Sequence, residues 1–490
     1  MGSFSKTQRP VLAGTYFDFL PVAANVVAAS VSSTVLLAFT HNWGPVETPT
    51  VVKSLQDWIA KFGGDPLNPT SGYIAAYEAF KGEGTPDFAG AGQVIAYRQA
   101  ASSAAKASHA LSNTTPATAI TITAKYEGVL GNGLSLTVQD HALDTSKDEL
   151  LILKGSTVLE KFVYADTNIA DLAAQINANS GWVTAVEAIT GVHLATVSSV
   201  SLTGGLDGAT LTGDDYTRAM TAFELLRFGV LAFENLTDAD ILASVVTWAK
   251  GQNAAGRRFF TVVGGELDED IATAVARSAD IDDPDFINVG VGSIVDNDLI
   301  VDGEAQNLST AQLAPRIAGI VANRGERFSI TFAKLADVDL LNGASKDDIV
   351  TAYDGGVVVL GRASDAQASV RLEKGLTTFT DTNDGARPKV IFSVPKFVAV
   401  MHGLQNDLVV WADDNIIGRT TVDNDTRNAV LGQINVFMSL REGYGGVQHG
   451  WAAYVDPSPP PSDDDPFVAF VIAAKFGRST EQVYFSAQLG

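Results

Sequence analysis

An α/β and α+β multidomain architecture is what this sequence predicts, and three observations predict it. Residues 211–385 alternate amphipathic helical stretches with short, almost continuously apolar strands. Residues 105–210 change to Thr- and Ser-rich strands around one helix. At 490 residues, 46% hydrophobic and 18% charged, the chain has length for roughly two to four domains at ~100–200 residues each.

Residues 1–24 read as an extended arm, because Pro10, Gly14 and Pro21 in "RPVLAGTYFDFLPV" discourage helix. Residues 25–104 form the first part of the main domain. There "SLQDWIAKFGG" predicts a helix: Ser54 suits the N-cap and Asp57 follows three residues on. Leu55, Trp58, Ile59 and Phe62 share a face, and Gly63 stops it. "GYIAAYEAFKGEG" reads as a second helix and "GQVIAYRQA" as a strand. Residues 105–210 read as an inserted, β-rich α+β domain. Its hairpin "ELLILKGSTVLEKFVY" turns around Gly155, and its helix "NIADLAAQINANSG" lines Ile169, Leu172 and Ile176 on one face.

In residues 211–385, "GVLAFENL", "RRFFTVVGG" and "DFINVGVGSIV" read as strands. "DDYTRAMTAFELLRF", "DADILASVVTWAKG", "DEDIATAVARSAD" and "STAQLAPRIAGIVAN" read as helices. That alternation predicts a largely parallel sheet covered by helices. Residues 386–455 form a mixed C-terminal domain with the helices "PKFVAVMHGLQNDLVVWADD" and "DTRNAVLGQINVFMSLREG" and the strand "GVQHGWAAYV". Val430, Ile434, Phe437 and Arg441 mark one face of the second helix, which stops at Gly443.

Residues 456–466 are a solvated linker in which Pro457, Pro459, Pro460 and Pro461 are hinge positions. Residues 467–490 hold the strands "FVAFVIAAKF" and "EQVYFSAQLG". In the last, Val483, Phe485, Ala487 and Leu489 alternate with Tyr484, Ser486 and Gln488, so it has one face to bury and needs a sheet to join.

Composition narrows the function. The absence of cysteine excludes disulfides, thiolate zinc sites and cysteine nucleophiles. A net charge of −23 repels phosphate-rich partners, so direct nucleic-acid binding is not expected. Apolar runs such as "FVAFVIAA" fall far short of the ~20 residues a spanning helix needs, and the first twenty residues hold no run of leader length. A soluble chain without membrane insertion is expected.

Motifs for catalysis are missing. No G-x-x-x-x-G-K-[ST] occurs, "GAGQVIA" and "GNGLSLT" lack a third glycine, and Ser293 in "GVGSIV" is not in a nucleophile elbow. His41, His109, His141, His193, His402 and His449 stand in no recognisable catalytic context and read as structural. The acidic runs at 280–285 and 463–465 and "DTNDG" at Asp381 lack the calcium-loop frame and read as solvated loops. No catalytic, cofactor or metal residue is assigned, and an enzyme is not expected.

Other residues recur in order along almost the whole chain. "RPVLAGTYFDF", "SSTVLLAFTHNWGPVETPTVVKSLQDWIAKFGG" and "GQVIAYRQA" lead. "ITAKYEGVLGNGLSLTV", "LAPRIAGIVAN" and "GGVVVLGRASDAQASVRLEKGLTTFTD" follow. This series resembles the contractile bacteriophage tail sheath proteins and related contractile injection system sheaths, although the arm here is longer and places Gly14 later.

The resemblance implies a structural subunit of stacked hexameric rings around a tail tube, contracting to drive the tube through a host envelope. It also implies a subtilisin-like fold for the central domain, without catalysis, since no Gly-Thr-Ser nucleophile context accompanies it. The implied partners are further copies of the chain, the tail tube protein, and baseplate and tail terminator proteins. The implied location is the phage tail of the virion, with assembly in the host cytoplasm.

In that family both terminal arms pair with sheets of neighbouring subunits. The implied intersubunit residues are Arg9, Pro10, Gly14, Tyr16, Phe17, Val483, Tyr484, Phe485 and Leu489. Arg257, Arg258, Lys389, Lys396, Lys475 and Arg478 are either cations for acidic neighbours or ordinary surface charges. Two other readings stay open. An α/β hydrolase-like enzyme requires a serine and a histidine in hydrogen-bond reach, and a receptor-binding protein of the virion surface would use the inserted domain.

Overall fold

Strands whose every residue is apolar or small must be covered on both faces. Val230–Phe233, Phe260–Gly264 and Phe286–Val289 are buried at every position. In the computed structural model they pair in parallel, Leu231 opposite Thr261 and Val262 opposite Ile287. The helices Ala239–Ala254 and Ile271–Ile281 make the two crossovers. Asp238 and Asp270 cap them by accepting from the otherwise unbonded N–H groups of Ile241 and Thr273. The parallel sheet read from the sequence is present.

The structure describes residues 33–85, 88–115, 117–301, 303–362, 369–380, 389–421, 423–456, 469–477 and 479. They divide into two units, one of residues up to 37, 74–95 and 224 onward, the other of 38–73 and 96–223.

In the first unit the sheet order runs Val357–Val358, Phe286–Val289, Phe260–Gly264, Val230–Phe233 and then the start of Thr34–Thr40. "DFINVGVGSIV", expected as one strand, is two. Val291 and Gly292 take φ of 56° and 103°, a left-handed step that ends the first strand. Ile294–Val301 then enters a separate antiparallel sheet between Glu304–Leu308 and Val338–Leu340.

The helix Thr310–Arg324 opens with a capping box between Ser309 and Gln312 and is buried along most of its length. It meets the C-terminal turn of the helix Ser71–Lys81 with no side chain between them: a Cβ on Gly319 would overlap the Ala79 carbonyl. Gly90 is equally close to the Ala79 and Phe80 carbonyls. Those carbonyls, left unbonded where a helix ends, accept from Ala91 N–H at 2.8 Å and Gly90 N–H at 3.1 Å. Backbone proximity is what completes their hydrogen bonding.

Farther along the same unit, the helices Pro395–Asn415 and Asn424–Gly443 form as expected, the second burying Ile434, Met438 and Arg441. "GVQHGWAAYV" is shorter than expected, because a bend at His449 leaves only Ala452–Val455 as strand. It pairs antiparallel with Phe470–Ala473, within the predicted "FVAFVIAAKF". The arm residues Arg9, Pro10, Gly14, Tyr16, Phe17, Val483, Tyr484, Phe485 and Leu489 lie outside the described residues, as do Pro457, Pro459, Pro460, Pro461 and Arg478.

In the second unit the helix Leu55–Phe62 has its Ser54 cap, accepting from Asp57 N–H at 3.1 Å, and buries Trp58 and Phe62 against Phe39. The strands Val197–Ser201, Leu134–Asp140, Lys147–Lys154 and Thr157–Ala165 form one antiparallel sheet, in that order. Ser108–Ser112, Thr118–Ala124 and Val183–Glu187 form another. The helix Ile169–Asn179 buries Ile169, Leu172 and Ile176 in a core shared with Ile120, Leu136 and Ile152.

Leu172 is fully buried, so Leu172→Ala is expected to destabilise this unit by roughly 2–5 kcal/mol. Val186→Ala, at an exposed strand position, should shift it by no more than about 0.5 kcal/mol. Urea unfolding of both variants checks the pair.

Candidate functional site: an open two-stranded sheet

The C-terminal helices are anchored by a buried arginine. Arg441, in the last turn of Asn424–Gly443, donates to Glu326 at 3.1 Å and 3.3 Å and to Asp407 of Pro395–Asn415 at 2.7 Å. Burial lowers Arg441 below the usual guanidinium range, with Glu326 and Asp407 acting against it. It stays charged, and its two carboxylates fix how the helices meet. One residue on, Glu442 accepts from His449 Nδ1 at 2.6 Å and Trp451 Nε1 at 2.8 Å, which sets the chain's course into the following strand. These two bonds, His449's first, hold Glu442 below the ordinary carboxylate range.

That strand and its partner lie on the helices. Ala453 stands opposite Ile472 and Val455 opposite Phe470. Ala453, Phe470, Ile472 and Trp451 pack on Leu404, Leu408, Ile434, Met438 and Val447. Among the described residues each strand has one ladder partner and one edge with no strand beside it. Unpaired N–H and C=O groups along a strand edge are a template for another strand. Nearby, Phe397 stacks on Phe476 at 4.8 Å, and Lys396 is buried with its ammonium 3.4 Å from Ser479 Oγ. Burial lowers Lys396 from the ordinary lysine value.

The remaining polar residues are built into the interior. His402 Nε2 donates to Asp285 at 2.7 Å, and Arg258 donates to the same carboxylate at 3.1 Å. Burial raises Asp285, but His402 and Arg258 outweigh it and hold the group below its ordinary value. Asp285 is therefore not part of a solvated loop as expected; it is an internal anion between a strand end and Pro395–Asn415. Arg258, half-buried, is paired with that carboxylate, and Arg257 donates to Gln252 and the Leu226 carbonyl. The side chain of Lys389 lies outside the described residues.

His41 does meet a hydroxyl, Thr70 Oγ1 at 2.6 Å from Nδ1, but its Nε2 is spent on the Phe62 carbonyl at 2.8 Å. Burial first, then Arg98, lowers His41 to about 4. An imidazole of such weak basicity, held between a hydroxyl and a carbonyl, reads as a support for the loop. A cavity in the second unit, about 340 Å³, is lined by Ser103, Val129, Leu206, Asp207, Gly208 and Ala209. Its one carboxylate accepts from Val129 N–H at 2.8 Å. No group of three potential metal ligands occurs among the described residues, and no described helix is long and apolar enough to cross a membrane.

Comparison with known proteins shows what the chain is similar to. Residues 209–387 match the family model of the phage tail sheath protein central domain. The "Uncharacterized protein YqbK" of Bacillus subtilis (strain 168) is 26% identical over 426 residues, covering 83% of this chain and 81% of the relative. The "Phage-like element PBSX protein XkdK" of the same strain is 24% identical over 424 residues, with the same two coverages. The crystal structure of a sheath tail protein from Desulfitobacterium hafniense superposes with a TM-score of 0.69 at 20% identity, covering 94% of this chain and 99% of that one. The helical sheath of the anti-feeding prophage in its contracted state superposes at 0.51 with 12% identity, covering 98% and 100%.

Arg441→Met removes the cation between the Glu326 and Asp407 carboxylates and is expected to cost roughly 3–5 kcal/mol. Guanidinium unfolding followed by tryptophan fluorescence, with Trp411 and Trp451 nearby in sequence, measures the loss.

Proposed function

We propose, from the match of residues 209–387 to the phage tail sheath central domain, that the chain is the structural subunit of a contractile tail sheath, assembling as stacked hexameric rings around a tail tube. Contraction of the sheath drives the tube through the host envelope. The central domain takes the subtilisin-like arrangement of its family and is structural, with Ser293 buried and bonded to Asp268 N–H. The anti-feeding prophage neighbour is a helical sheath in a contracted state, and further neighbours come from baseplate structures of that system. Partners of the same kinds, together with a tube protein, fit this chain. Its place is the phage tail.

The observation that carries this reading is the sheet of Ala452–Val455 and Phe470–Ala473, which has two strands among the described residues, together with a strand pattern at residues 481–490 that lies beyond a Pro-rich linker. An incoming strand gains about seven ladder bonds at ~1 kcal/mol each, which ~1–2 kcal/mol of backbone entropy per residue roughly cancels. Side chains must decide the balance. Burying Val483, Phe485 and Leu489 at ~1.5–3 kcal/mol each favours pairing, and Tyr16 and Phe17 offer the same at the other arm. Because Phe470–Ala473 pairs with Ala452–Val455, Pro457, Pro459, Pro460 and Pro461 connect two strands of one subunit, and in this reading the reach to a neighbour falls to the residues after Phe470–Ala473.

Negative-stain microscopy across a concentration and salt series tests it. Hollow striated tubes are expected from the full chain. A chain ending at residue 480 is expected to stay folded by circular dichroism and monomeric. Tubes from the truncated chain would remove the arm from the mechanism, and dispersed full-length monomers under every condition would remove the sheath.

A further inference from the structure

The first unit holds a cluster of ionisable groups that neither the sheet nor its open edges use. Arg316, from Thr310–Arg324, is fully buried; it donates from Nε to the Gly82 carbonyl at 2.6 Å and from a terminal nitrogen to the Ala336 carbonyl at 2.9 Å. Its other terminal nitrogen stands 3.2 Å from Glu78 Oε2 and 3.8 Å from Asp296 Oδ2. Lys81, one turn from Glu78 on Ser71–Lys81, lies 3.2 Å from Asp296 and 2.9 Å from Asp298. Tyr77 donates to Asp298 at 3.1 Å. Those are the charged and titratable groups facing Glu78 from its own helix, from Ile294–Val301 and from Thr310–Arg324.

Counting charge exposes a surplus. Arg316 and Lys81 supply two positive charges, whereas Glu78, Asp296 and Asp298 supply three negative ones if all are ionised. Glu78 is 0% exposed, and its Oε1 has no hydrogen-bond donor among the described residues. That carboxyl lies within hydrogen-bond reach of Asp296, a contact two carboxylates make only when one carries a proton. A proton held between Glu78 and Asp296 brings the cluster to two charges of each sign.

We propose that Glu78 and Asp296 share one buried proton, and that its release at alkaline pH loosens Ser71–Lys81 from Ile294–Val301 and Thr310–Arg324. The device is a proton-held latch within a single subunit, independent of what the sheet edges bind. Burial pushes Glu78 up to about 8 from an ordinary 4.5, with Arg316 acting against it. The folded latch thus holds a proton that the unfolded segment gives up. Its stabilisation is complete below about pH 4.5 and is lost as pH rises through about 8.

Hydrogen exchange of the full chain, followed by mass spectrometry from about pH 5 to pH 9 and corrected for intrinsic rates, tests this. The opening constant of peptides covering residues 71–81 and 294–301 should rise about tenfold per pH unit between the two values, and Glu78→Gln should abolish that rise. The same slope in Glu78→Gln overturns the proposal. Should that variant fail to fold, the infrared carbonyl band of a protonated buried carboxyl decides it in the unmodified chain. The band is expected at about pH 6 and gone above about pH 9. Its absence at the lower pH overturns the shared proton.

Discussion

A buried guanidinium is the constraint on which the first unit depends. Arg316 enters an interior with no water to solvate it, so every N–H it carries must find an acceptor in a fixed direction. The Gly82 and Ala336 carbonyls and two carboxyls supply them. Those acceptors come from segments more than two hundred residues apart, which ties residues 74–95 to the region after 224. Such a cluster adds little net stability over a well-packed apolar core. What it contributes is uniqueness, since any other register of the helix on its neighbours leaves a charge unpaired.

Arg441 applies the same rule to the C-terminal helices, and Asp285 to the end of the central sheet. Arg258 is likewise committed to Asp285.

How much of this was legible in the sequence follows from the range of each interaction. The Ser54 cap, the Leu172 face and the apolar strands of the parallel sheet are local patterns, and the structure shows them. The break after Val289 is not visible in the sequence because the alternation of Val and Gly in "NVGVGSIV" reads as strand, and the positive φ of Val291 leaves no mark in the residue types. The buried clusters were invisible for a different reason: a lone Glu78 or Asp285 resembles a surface residue until its partner, 238 positions away for Arg316 and 117 for His402, is brought beside it. Of the candidate site, the strand Phe470–Ala473 was readable from its composition, while its neighbour was overestimated in length because His449 is drawn back to Glu442.

The meeting of Gly319 and Gly90 with the Ala79 carbonyl has a consequence for sequence drift. Where two pieces of main chain touch, no compensating change elsewhere creates room, because there is no side chain to shorten. A chain that retains this fold while diverging toward a quarter identity is free to exchange apolar residues throughout its sheets but is held to glycine at these two points. Glycine at these points answers to the thickness of a backbone and says nothing about a ligand, so a search for functional residues among distant relatives should set both positions aside before it begins.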